Sequence, residues 1–81
     1  MMIFAEFGKI KSQKYDSEEA QNLVEKLKNF ITDNFYNCSN EILRGLGAMY
    51  ASGGEFTQNI DKFGGEGTGE FVNKAIQSYC D

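Results

Sequence analysis

Cys38 and Cys80 are the strongest nucleophiles in this 81-residue chain, and no histidine is available to activate either. That absence removes histidine-based triads, histidine general bases and most zinc sites together. Twelve carboxylates are spread along the chain. Of these, only Glu41 and Asp61 fall near apolar neighbours, and no two have the spacing of an acid/base pair. The run from Gly64 to Gly69, Gly-Gly-Glu-Gly-Thr-Gly, invites comparison with a phosphate loop. It lacks the preceding strand and the Gly-Lys-Ser/Thr ending, and its glutamates would repel phosphate. A helix-to-helix connection accounts for it better. The sequence therefore predicts no enzyme, no metal and no cofactor.

Binding is the chemistry left, and Phe35 to Tyr50 is the stretch that could supply it. Cys38, Ile42, Leu46 and Met49 recur at helical spacing and form an apolar stripe. Gly45 and Gly47 interrupt the same helix, each at a cost of about 1 kcal/mol against alanine. Something must offset that cost. Close packing against another backbone is one explanation; a concave surface on which a ligand lies is the other. On chemistry alone packing is favoured. Cys38 reads first as a buried, inert thiol, and second as a pocket thiol open to an electrophile. Tyr36, Met49 and Tyr50 fit a core and the lining of a pocket equally well.

The formal charge of −4 leaves eight basic residues, scattered except for Lys9, Lys11 and Lys14. Nucleic-acid binding rests on neutralising many phosphates, so none is expected of this chain alone. No signal-peptide pattern or membrane-length apolar run occurs, which predicts a cytoplasmic protein with reduced thiols.

The periodicity is helical throughout. A first helix over residues 2–11 places Ile3, Phe4, Phe7 and Ile10 on one face. A second begins with Asp16 and Glu19 as a capping box and carries Leu23, Val24, Leu27, Phe30, Ile31 and Phe35. The third covers about 39–51. A short fourth holds Phe56, Ile60 and Phe63 and ends at Gly64-Gly65 in a left-handed cap. The fifth runs over about 67–80 with Phe71, Val72, Ala75, Ile76 and Tyr79 inward. Five short helices in one all-α domain over 1–81 predict a compact orthogonal array around a single core.

Several runs carry a resemblance to a known family. They are Phe35-Tyr36-Asn37-Cys38, Leu46-Gly47-Ala48-Met49-Tyr50, Glu55-Phe56-Thr57-Gln58-Asn59-Ile60-Asp61, and the C-terminal Gly-Glu-Gly-Thr-Gly-Glu-Phe-Val with Ala75 to Cys80. Together they resemble the TipAS antibiotic-recognition domain of TipA-like MerR-family transcriptional regulators, over nearly the whole chain. The resemblance implies a globin-like helical array whose cleft binds thiopeptide antibiotics and other large, hydrophobic heteroaromatic drugs. It implies either the effector domain of an activator of multidrug-resistance genes or a drug-sequestering protein. The expected cleft takes Tyr36, Cys38, Ile42, Gly45, Met49 and Tyr50, with Phe4 and Phe7 adding apolar contacts. The sequence departs from the family by having no DNA-binding domain and, by expectation, none of the family's upstream helices. Gly45 also stands where some members hold a cysteine that captures the drug covalently, which implies reversible binding here. The alternative function is a structural or interaction module that forms a homodimer or docks on another regulator.

Overall fold

Serine hydroxyls set two of the helix starts. Ser17 lies in extended backbone and its hydroxyl accepts from the Ala20 N–H at 3.3 Å; Ser39 does the same for the Ile42 N–H at 3.3 Å. Each satisfies an amide that the first turn leaves without a helical partner. The expected cap at Asp16 is thus displaced by one residue. Alanine stands three positions after Ser17, so the reciprocal glutamate of a capping box is missing. Glu18 and Glu19 instead occupy the first turn, where a carboxylate is favoured by the helix dipole.

A computed structural model describes residues 2–80, and the ends of the expected domain, Met1 and Asp81, lie outside the described residues. Five helices follow in order: α1 (Met2–Ile10), α2 (Glu18–Asn34), α3 (Asn40–Tyr50), α4 (Glu55–Gly64) and α5 (Thr68–Cys80). No strand occurs among the described residues. The expected all-α array is the fold observed.

α5 is the hub. It packs on each of the other four helices, most extensively on α3. Its buried residues are Thr68, Gly69, Phe71, Val72, Ala75 and Ile76. Ile3, Phe4 and Phe7 of α1 are buried, and the Phe7 ring lies edge-on to Phe71 of α5 at 6.3 Å between centroids. α2 adds Ala20, Val24, Leu27 and Ile31.

Two expected stripes are longer in sequence than in the core. Phe30 and Phe35 are exposed although Ile31 beside them is buried; their rings cover each other edge-on at 6.1 Å. On α4 only Ile60 is buried, while Phe56 and Phe63, seven residues apart on one outer face, are 55% and 57% exposed.

The glycine-rich run is a connection between α4 and α5. Gly65 takes a φ of 96° and a ψ of 165° beyond the end of α4, and its N–H donates to the Asp61 carbonyl; the glycine end is the expected one, but in an extended positive-φ form and not the αL cap. Lys11 draws the run against α1, donating to the carbonyls of Gly64 at 3.2 Å and Glu66 at 2.9 Å. Asp61 receives the Gly69 N–H at 2.9 Å and so satisfies an orphan amide of α5.

Beneath this staple the backbones of α1 and α4 touch. A Cβ added at Gly8 would collide with the Cα, carbonyl carbon and oxygen of Gly64. Backbone atoms cannot rotate away as a side chain can, so Gly8→Ala forces the helices apart. The expected loss is about 1–3 kcal/mol or more, read as a lower midpoint in urea unfolding.

Candidate functional site

Leu43, Gly47 and Tyr50 are the residues of α3 that face the core. Their spacing is helical, but the face is turned by about 100°, one residue, from the expected stripe. Ile42 and Met49 are consequently exposed, at 39% and 43%, and Leu46 lies half-buried between the two faces. The inward phase is set by α5, which α3 packs against most closely.

The two glycines of α3 have different surroundings. A Cβ on Gly47 would stand 2.9 Å from Asn73 Oδ1 and 3.2 Å from Ile76 Cγ2, so its absence is what lets α3 approach α5. A Cβ on Gly45 would meet nothing within 4 Å. Packing explains Gly47 and does not explain Gly45. At helical spacing Ile42, Gly45 and Met49 share one open strip, with bare backbone between two apolar side chains.

The other expected residues lie towards the core. Tyr50 is buried, with the Phe4 ring edge-on to it at 5.5 Å. Burial pushes the Tyr50 phenol up to about 12, and the nearby Tyr36 and Cys38 push in the same direction. Tyr36, Cys38, Tyr50 and Phe4 therefore gather on one side of α3. Of these Tyr36 is exposed, whereas Cys38 is only 2% exposed. Burial also raises the Cys38 thiol, partly opposed by the Lys28 ammonium. Phe7 is fully covered and stands apart with Phe71. The expected set thus divides into an exposed strip (Ile42, Gly45, Met49), a half-open aromatic group around Tyr50, and core residues that no incoming molecule meets in this conformation. A surface depression of about 380 Å³ involves none of them: it is lined by Tyr15, Asp16, Asn73, Lys74, Gln77 and Ser78.

The TipAS antibiotic-recognition domain model matches residues 1–79. The chain belongs to the TipAS antibiotic-recognition domain family. It is also 38% identical over 66 residues to the HTH-type transcriptional activator mta of Bacillus subtilis (strain 168), covering 82% of this chain and 25% of that protein. The chain thus spans about a quarter of the length of that relative. No solved structure matches it. Among the described residues no helix is long and apolar enough to cross a membrane, and no group of Cys, Asp and Glu could hold a metal ion.

Around Cys38 this TipAS domain brings together residues that periodicity assigned to water. Lys28 reads as part of the polar face of α2, yet its Nζ donates to Asn40 Oδ1 at 2.8 Å and lies 5.9 Å from the centre of the Tyr79 ring. The sequence signal was weak, since only the tertiary approach of α5 makes the position special.

Tyr50 gives the aromatic group a measurable signature. Its phenol is neutral in the folded protein up to about pH 12 but only to about pH 10 in an unfolded chain. Between those values the unfolded state has released the proton and the native state has not, so stability falls as pH rises. Tyr50→Phe removes this term. Thermal unfolding across pH 9 to 12 is expected to show a shallower alkaline decline in the variant, the two curves separating above about pH 10.

Proposed function

We propose that this TipAS domain binds a large, hydrophobic, heteroaromatic ligand of the thiopeptide class, reversibly and without catalysis. It serves as the effector domain of a transcriptional activator or as a drug-sequestering protein, and acts in the cytoplasm. The DNA contacts of such an activator belong to a part of the protein other than these helices. The family's description as antibiotic-recognition and the activator relative support the ligand class and the regulatory role.

The observation that carries the reading is Gly45. It weakens a helix of 11 residues by about 1 kcal/mol and no neighbour uses the space it leaves. A flat ring laid over Gly45 would contact backbone directly, between Ile42 and Met49. Burying such a ring draws on the hydrophobic effect at about 25 cal/mol per Å², and methionine sulfur adapts well to aromatic faces. Reversibility follows from the thiol's position, since Cys38 is buried and the strip holds no nucleophile.

Gly45→Gln separates stability from binding. A long, helix-favouring side chain gains about 0.5–1 kcal/mol of stability while filling the strip. The expected result is a higher melting temperature with thiopeptide affinity at least roughly tenfold weaker, a loss of about 1.4 kcal/mol. NMR titration of the unaltered chain should give saturable shifts at Ile42, Gly45, Leu46 and Met49. Undiminished affinity in the variant, or shifts confined to the depression beside Asn73, would reject the strip as the site.

A second reading is favoured by α4. Phe56 and Phe63 present rings on one outer face, an arrangement suited to docking on another protein or a second copy. A dimer through α1 gains no such support, because Ile3, Phe4 and Phe7 are already covered. Sedimentation velocity discriminates: if α4 is the interface, a dimer forms and the Phe56→Ser, Phe63→Ser double variant sediments as a monomer.

A further inference from the structure

Two sulfur atoms meet the same short piece of backbone at the start of α3. Cys38 Sγ donates to the Ser39 carbonyl oxygen at 3.8 Å, and Cys80 Sγ donates to the next carbonyl, that of Asn40, at 3.5 Å. One thiol comes from the loop before α3 and the other from the last residue of α5. Lys28 completes the group through its hydrogen bond to Asn40 Oδ1 at 2.8 Å. Burial raises the Cys38 thiol most; within the group the Lys28 ammonium pulls it down and a thiolate at Cys80 pushes it up.

We propose that Cys38 and Cys80 are a redox pair, a dithiol site that a hydroperoxide converts into an intramolecular disulfide joining the end of α5 to the start of α3.

Exposure sets the order of events. Cys80 is half-buried and reachable, whereas Cys38 is 2% exposed and shielded from solutes. The Cys80 thiolate attacks the terminal oxygen of the hydroperoxide. The oxygen–oxygen bond breaks and the alcohol leaves with the thiol proton, giving sulfenic acid at Cys80. Cys38 then attacks the Cys80 sulfur, forms the sulfur–sulfur bond and expels hydroxide, which takes the Cys38 proton and departs as water. Two thiols and one hydroperoxide become one disulfide, one alcohol and one water. Burial disfavours the attacking Cys38 thiolate, and the Lys28 ammonium opposes that effect in part. Bond formation needs the sulfurs at about 2.05 Å, and the adjustment falls on the last turn of α5, where helices open most readily. That turn is held by Arg44 Nη2, which donates to the Cys80 carbonyl at 3.0 Å, and by Gln77 Nε2, which donates to the Arg44 carbonyl at 3.3 Å. Oxidation would therefore act on the helix that carries Gly45, but the pairing stands independently of any ligand there.

The test is to treat the reduced full chain with hydrogen peroxide, block free thiols with N-ethylmaleimide under denaturing conditions, and measure intact mass. The expected product is a monomer that has lost two hydrogen atoms and takes up no maleimide. Tryptic digestion without reductant should then yield the peptides 29–44 and 75–81 joined as one species. Cys80→Ser, at a half-buried position, should keep the circular dichroism of the parent, form no such species and leave Cys38 open to maleimide. Sulfinic acid at Cys80 with Cys38 still alkylatable, or disulfides only between molecules, would overturn the pairing. The peptide map of the unaltered chain decides this even if substitution of buried Cys38 impairs folding.

Discussion

Backbone touches backbone at two helix crossings, and the remaining geometry follows from those contacts. Gly8 of α1 lies on Gly64 of α4, and Gly69 at the start of α5 lies under the Tyr50 carbonyl at the end of α3. A methyl group at either position would occupy space already filled by main-chain atoms. Helices of 9 to 17 residues have few side chains with which to build a core, and small domains bury proportionally less surface than large ones. Close approach recovers part of that deficit through dispersion contacts. With α1 fixed on α4, and α5 fixed under α3, the inward side of each helix is determined.

Polar groups then secure the turns around those contacts. Thr57 Oγ1 donates to the Tyr50 carbonyl at 2.7 Å and accepts from the Gly53 N–H at 3.0 Å, tying both ends of the turn between α3 and α4. Asp61 and Lys11 do the same for the connection between α4 and α5. Among the described residues no buried side-chain nitrogen or oxygen lacks a partner. The singled-out Asp61 is thus an amide acceptor at a helix start, a structural task that carboxylates perform well.

The number, type and order of the helices were legible because helical periodicity, serines and glycines mark them locally. α5 was read nearly to the residue, since Phe71, Val72, Ala75 and Ile76 are buried on a helix that packs on all four others. Rotational phase was not legible for α3. Its sequence offers apolar residues at Ile42, Leu43, Leu46, Met49 and Tyr50, a band wide enough for two stripes. A glycine counts for nothing in a hydrophobic pattern, yet Gly47 is the residue that chose between them. Phe30, Phe35, Phe56 and Phe63 went astray for the opposite reason: the pattern is apolar, but these side chains stand exposed while Ile31 and Ile60 nearby take the core positions. In the candidate site the resemblance placed attention on α3 without separating its exposed face from its buried one.

The contrast between the two glycines bears directly on function. In one helix, two residues apart, the same substitution from alanine carries the same intrinsic cost of about 1 kcal/mol. At Gly47 that cost is offset within the fold by the approach of Asn73 and Ile76. At Gly45 no neighbour within the fold occupies the space, and on the proposed reading the offset comes from the ligand. A ligand that contacts the bare backbone there also presses on Ile42 and Met49, and through half-buried Leu46 on the face that holds Leu43 and Tyr50. On the proposed reading the strip lies on the outer side of the helix whose inner side makes the crossing of α3 on α5, the most extensive helix contact among the described residues.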